Sequence, residues 1–235
     1  MDKTKLSSFI KDELKLDINE EIIDKFSLYE KLLLEWNEKF NLTAITKEDE
    51  ILEKHFIDSI YPSKFVDFSK KGRLLDIGSG AGFPAIPLAI LFPNIEFSLV
   101  ESNGKKVSFL NEVRTSLKLN NVFILQSRVE DLKALRGEFD FVTARAVTQL
   151  NILLELSIPL LKVKGHLLAY KGSMADIEIK QSERAFHTLD SKLISKNIYK
   201  LPYSNDGRSL LDIVKNKETK NKYPRPYSII INKPL

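Results

Sequence analysis

The sequence predicts an α/β protein: a mostly parallel seven-stranded sheet with helices on both faces and a helical extension at the N-terminus. Three observations point there. From residue 73 onward, short apolar runs alternate with helical patterns, the signature of a sheet built from βα units. The stretch Leu74-Leu75-Asp76-Ile77-Gly78-Ser79-Gly80-Ala81-Gly82-Phe83-Pro84 reads as strand, glycine turn and helix start, the ligand-cradling corner of a doubly wound sheet. Ahead of it lies a long stretch with helical rather than strand periodicity.

Residues 3–15 predict a short helix. Asn19 is a good N-cap for a longer one, in which Ile22, Phe26, Tyr29, Leu33, Trp36 and Phe40 recur every three or four residues as one packing stripe. Asn41–Thr46 breaks the period and reads as a loop. Glu48 to Tyr61 resumes a helix, which Pro62 is expected to end. The strands follow at Arg73–Ile77, Ile95–Val100, Val122–Gln126, Phe139–Ala144 and His166–Tyr170. Helices are expected at Pro84–Phe92, Lys105–Leu119, Gln149–Leu161 and Met174–Leu189. Leu193–Leu201 and Ser209–Asn216 read as two further strands joined through Tyr203–Arg208, compatible with an antiparallel pair. This divides the chain into an extension (1–66), a main domain (67–217) and a basic tail (218–235) packed on the same domain.

Composition narrows the function. The 235 residues are 43% hydrophobic and 29% charged, as in a globular protein. There is no cysteine, so disulfides, thiolate metal sites and cysteine nucleophiles are excluded together. His55, His166 and His187 show no ligand spacing, and no metal is expected. Met1 to Lys15 is charged throughout, unlike a signal peptide, and no apolar run approaches the roughly 18 residues of a membrane span. A cytoplasmic monomer is expected. Residues 1–70 carry a net charge of −5 and residues 197–235 a net charge of +5, an asymmetry that could orient the protein on a polyanion.

The glycine turn spells Gly78-x-Gly80-x-Gly82, with Phe83 where a dinucleotide fold would place its third glycine. That favours a mononucleoside-like cofactor. Glu101 ends the second strand 23 residues after Gly78, the place of a carboxylate that accepts hydrogen bonds from a ribose diol. Ser127–Asp131 follows the third strand and is a candidate adenine clamp, with Val129 for the ring face and backbone and a carboxylate for the amino group. Arg145 ends the fourth strand inside an apolar run, either as an ion-pair partner of Glu101 or Glu130 or in reach of cofactor or substrate. Lys171 holds the matching place after the fifth strand and is expected on a substrate phosphate. These parts point to S-adenosylmethionine. Nothing indicates a P-loop or a Ser/His/Asp set. With no cysteine, and Ala-Arg-Ala-Val in place of an Asn/Asp-Pro-Pro-aromatic motif after the fourth strand, an acceptor that brings its own lone pair, such as guanine N7, fits. Such a reaction needs positioning, which can supply roughly 7–11 kcal/mol, and no general base; no catalytic residue is expected. A methyltransferase for small molecules, a nicotinamide oxidoreductase and a non-catalytic rRNA-binding assembly factor are the alternatives.

The residues resemble those of the 16S ribosomal RNA guanine-N7 methyltransferases, the glucose-inhibited division protein B family. The resemblance rests on Trp36-Asn37 with Phe40-Asn41-Leu42-Thr43, His55 with Asp58-Ser59, Asp76 through Pro84, Pro87-Leu88-Ala89 and Val100-Glu101-Ser102 with Lys105-Lys106. It continues through Arg128-Val129-Glu130, Ala144-Arg145-Ala146, Lys171-Gly172, Lys222-Tyr223-Pro224-Arg225-Pro226 and Lys233-Pro234-Leu235. It implies a class I (Rossmann-like) methyltransferase binding S-adenosylmethionine near Gly78, Gly80, Gly82, Phe83, Glu101, Val129, Glu130 and Arg145. It implies an acceptor held by Arg145, Lys171, Asn41 and Arg225: guanosine 527 in the 530 loop of bacterial 16S rRNA, as free rRNA or in a small subunit. Two departures are Ala85, where the family usually has glycine, and Tyr227–Ile231, which is more apolar than the family's tail.

Overall fold

A computed structural model describes residues 1–235. Seven strands, β1 (Gly72–Ile77), β2 (Ile95–Glu101), β3 (Val122–Gln126), β4 (Phe139–Arg145), β5 (Leu161–Lys171), β6 (Ser191–Lys200) and β7 (Gly207–Lys215), form one sheet in the order β3-β2-β1-β4-β5-β7-β6. β1 to β5 run parallel, and β7 inserts antiparallel between β5 and β6. The parallel register brings the carboxyl ends of β1, β2 and β4 level, with Ile77 beside Val100 and Ala144. Ligands bind outside those ends.

Ten helical segments cover the sheet: α1 (Lys3–Ser8), α2 (Glu20–Phe40), α3 (Glu48–Glu50), α4 (Asp58–Ile60), α5 (Ala85–Leu91), α6 (Gly104–Ser116), α7 (Leu150–Ser157), α8 (Ala175–Gln181), α9 (Glu183–Thr188) and α10 (Tyr227–Asn232). Successive side chains of a strand point to opposite faces. Leu74 accordingly joins a buried cluster with α2, α5 and α6, while Leu75 joins a second cluster with α7 and β4. The extension is therefore part of one face's core: Phe26, Tyr29, Leu33, Phe56 and Phe97 are all in the first cluster.

Several elements differ from the sequence expectation for local reasons. In α2, Asn19 caps the first turn by accepting from the Ile22 N–H at 3.1 Å, and Phe26, Tyr29 and Leu33 are buried as expected. Phe40 stays 38% exposed, because Asn41 in the left-handed conformation ends the helix there. The helix expected over Glu48–Tyr61 changes pitch: Ile51–Ile57 is π-helical between α3 and α4, and a 3₁₀ turn at Tyr61–Lys64 carries Pro62 instead of stopping before it. β5 begins five residues before His166. Gly165 hides that start: it belongs to the irregular pairing between β4 and β5, where a Cβ would lie 3.0 Å from the carbonyl oxygens of Lys162 and Phe139. The helix expected over Met174–Leu189 is two, because Ser182 donates its hydroxyl to the Glu178 carbonyl at 2.6 Å and breaks the ladder.

The tail is folded onto the main domain. Arg136 donates to the carbonyls of Tyr223, Thr219 and Lys220. Arg225 grips Glu155 of α7, with Nε 2.8 Å from one carboxylate oxygen and a terminal nitrogen 2.6 Å from the other. Ile230 is fully buried against Ile152 and Leu156, which explains one apolar residue of the departing segment; nothing in the structure explains the exposed Ile229 and Ile231.

Glu155 is fully buried, so its only route to stability is the arginine. Arg225→Ala should lower unfolding free energy by about 3 kcal/mol in urea denaturation, and Glu155→Gln should cost less because it leaves no buried charge.

Candidate functional site

Two clefts open at the carboxyl ends of the parallel strands. The smaller, of about 160 Å³, is lined by Gly78, Glu101, Val129, Glu130, Leu156 and Tyr227 among others. The larger, of about 640 Å³, is lined by Lys54, His55, Asp58, Arg145, Lys171 and Glu178 among others. Val147 and Thr148, in the loop after β4, line both. The fold thus presents two adjoining compartments with one shared wall.

In the smaller cleft Glu101 is held by backbone donors on both oxygens: the Gly80 N–H at 3.0 Å and the Asn103 N–H at 2.8 Å. Each carboxylate oxygen has a second lone pair, so the group can still accept from a diol. Val129 and Glu130 sit in a 3₁₀ turn after β3. Val129 packs against the second core cluster and against the cluster that contains Ile230.

The glycine turn is set from behind by the extension. Tyr29 of α2 donates its hydroxyl to the Ala81 carbonyl. A Cβ on Gly82 would lie 2.7 Å from that hydroxyl and 2.7 Å from Ile86, so no other residue fits this approach. Phe83 is 7% exposed and lines neither cleft. It is instead a packing centre: the His55 ring stacks on it at 4.4 Å, Tyr29 at 5.3 Å, and the Arg145 guanidinium lies 5.2 Å from its centroid.

Arg145 pairs with neither Glu101 nor Glu130, the partners its place in the sequence offered. Its partners come from the extension. One terminal nitrogen donates to the Lys54 carbonyl at 3.0 Å and to Asp58 at 3.1 Å; the other lies 3.3 Å from His55 Nδ1. An arginine only donates, so Nδ1 must be the bare nitrogen, and His55 Nε2–H donates to the Thr43 hydroxyl at 2.9 Å. Burial first, and then the arginine's charge, lower the His55 pKa to about 3, so the ring is neutral at any physiological pH. Asp58 also accepts from the Tyr199 hydroxyl at 3.1 Å and lies 3.5 Å from Arg208, joining α4 to β6 and β7. Three of the five guanidinium N–H groups are thereby used, on Lys54, Asp58 and His55, leaving two.

Lys171 lines the larger cleft, as its place after β5 implied, but its ammonium is held at 2.7 Å by Glu178 and donates to the Thr148 carbonyl at 2.8 Å. Glu178 also accepts from the Leu150 N–H at 2.7 Å. This pair pins the loop that separates the compartments. Asn41 and Arg225 line neither cleft: the first ends α2, and the second is committed to Glu155.

Sequence reasoning assigned no role to Asp58, His55, Tyr199 or Asp76. Asp58 and His55 sit three residues apart on one helical run, a spacing that puts both on one side. Tyr199 could not be found this way, because it lies on the edge strand β6, 141 residues from Asp58. Asp76 is fully buried at the end of β1; one oxygen accepts from the Thr143 hydroxyl at 2.7 Å and the other has no partner. Burial raises its pKa from 3.8 to about 7.

A folded state that binds this proton more tightly than the unfolded chain is favoured at low pH. The contribution of Asp76 is present below its ordinary pKa of 3.8 and is lost as pH rises through about 7. Urea denaturation at about pH 5 and about pH 8 should show Asp76→Asn gaining a few kcal/mol relative to wild type at the higher pH. An unchanged difference between the two pH values would remove the assignment.

A family model described as GidB, rRNA small subunit methyltransferase G, matches residues 22–203. A Streptococcus thermophilus protein named ribosomal RNA small subunit methyltransferase G is 46% identical over 227 residues, covering 95% of each chain. A Streptococcus pyogenes protein of the same name is 46% identical over 216 residues, 90% of this chain and 91% of that one. Among solved structures, M. jannaschii TYW2 in complex with AdoMet superposes with a TM-score of 0.56 at 20% identity, over 72% of this chain and 76% of that one. Bacillus subtilis YcgJ superposes with a TM-score of 0.55 at 14% identity, over 69% of this chain and all of that one. These two likenesses speak to the fold.

Proposed function

The chain belongs to the rRNA small subunit methyltransferase G family, and we propose that it transfers a methyl group from S-adenosylmethionine to N7 of a guanosine in bacterial 16S rRNA, at position 527 of the 530 loop. The smaller cleft supports the cofactor. Gly78 lies at the turn, Glu101 keeps lone pairs for ribose hydroxyls, and Val129 and Glu130 provide an apolar face and a carboxylate for a base. When bound, the cofactor supplies an electrophilic methyl group on a sulfonium.

The observation that carries the N7 reading lies in the larger cleft: its titratable groups are already engaged. Asp58 is tied to Arg145 and Tyr199, and Glu178 to Lys171 and Leu150. His55 has one nitrogen turned to Arg145 and the other to Thr43. Burial pushes the Tyr170 and Tyr199 hydroxyls far above their ordinary pKa, so neither supplies a base. An exocyclic amine or a hydroxyl would need a proton removed as it is methylated. Guanine N7 has an in-plane lone pair and loses none. What the chain then contributes is orientation and the exclusion of water. Arg145 contributes through its two remaining N–H groups, directed to guanine O6 or to a phosphate.

Incubating the protein with labelled cofactor and 16S rRNA or small subunits should place label on one guanine, read by mass spectrometry of RNA fragments. RNA with 7-deazaguanine at that position should accept none, and transfer that persisted there would overturn N7 as the acceptor. Turnover should fall steeply with added salt, because each phosphate contact releases counterions; salt-insensitive turnover would favour a small-molecule substrate.

A further inference from the structure

The apolar segment of the tail has a place in this site. Residues 218–235 carry basic charge, yet the two arginines that anchor the tail, Arg136 and Arg225, spend their guanidinium groups on protein atoms. The tail is therefore a built wall. Ile230 is fully buried on Leu156, and Leu156 lines the smaller cleft. One turn earlier on α10, Tyr227 reaches the same cleft. Val129, expected at the adenine, packs against the cluster that holds Ile230 and Leu156. Tyr227 and Val129 thus belong to the same end of the cleft, and Tyr227 is 37% exposed there. A large aromatic ring half open on a cleft offers a flat apolar face to a base.

We propose that Tyr227 is a cofactor-binding residue, its ring forming the stacking wall for the adenine of S-adenosylmethionine, so that the C-terminal tail serves the cofactor. The proposal rests on the cofactor reading of the smaller cleft. It also accounts for Tyr227 and Ile230 within the segment that departs from the family pattern: Ile230 seats the helix and Tyr227 meets the ligand.

Isothermal titration of the full chain with S-adenosylhomocysteine tests it. Base–aromatic stacking is typically worth a factor of about five to one hundred and fifty in affinity, and a ring at the rim of a cleft belongs at the lower end. Tyr227→Ala should weaken binding about five- to tenfold, while Tyr227→Phe keeps affinity within about twofold. Ile229→Ala, on the exposed side of the same helix, should bind as wild type. The same loss should appear with 5′-methylthioadenosine, which keeps the base and lacks the amino acid. Tyr227→Ala binding as tightly as wild type would overturn the proposal and leave the cofactor reading standing. So would equal weakening by Tyr227→Ala and Ile229→Ala, which would assign the effect to packing of the helix. Wild-type protein that bound no S-adenosylhomocysteine would instead overturn the cofactor reading itself, and the proposal with it.

Discussion

A guanidinium held away from water must be paired, and the pairing of Arg145 organises this protein. The residue ends β4 at the boundary of the larger cleft, with its side chain 15% exposed. An uncompensated charge there would cost several kcal/mol. No carboxylate of the sheet pairs with it; the extension supplies the partners, as Asp58, the Lys54 carbonyl and the neutral His55 ring converge on it. The widened π-helical run of Ile51–Ile57 carries His55 and leads into Asp58. Phe83 closes the arrangement by taking His55 on its face and lying beside the guanidinium.

This makes the extension part of the site. Tyr29 sets the glycine turn from below, Asp58 links α4 to β6 and β7, and Glu53 accepts from the N–H groups of Tyr203 and Ser204 at 2.6 and 2.7 Å in the β6–β7 connection. The glycine turn and the larger cleft are braced by one set of residues. The loop between the compartments has its own brace in Lys171 and Glu178. Val147 and Thr148 line both clefts, so this one braced loop stands between the two compartments.

The expected strands and glycine turn were legible because each rests on local chemistry. Buried parallel strands need continuous apolar runs, and the turn needs residues without a Cβ. The positions of Glu101, Val129 and Glu130 on the smaller cleft were legible for the same reason, since the strand ends of such a sheet open onto its clefts. Element ends were less so. Gly165 looked like a boundary and is an irregularity inside β5, and Ser182 breaks a helix through a side-chain bond that periodicity does not reveal.

Charged side chains were the hardest to place, because a charge is assigned by its nearest partner in space. Arg145, Lys171 and Arg225 all stood where ligand contacts were expected, and each is bound first to a carboxylate: Asp58, Glu178 or Glu155. Those partners lie 87, 7 and 70 residues away. The sequence by itself determined the α/β order, the glycine corner and the absence of cysteine chemistry, since residue type and spacing alone control those. Only the tertiary structure decided which charges are spent inward, how β7 enters the sheet between β5 and β6, and that the tail returns to the smaller cleft. Each of those depends on which segments meet once the chain folds, which residue type and spacing do not state.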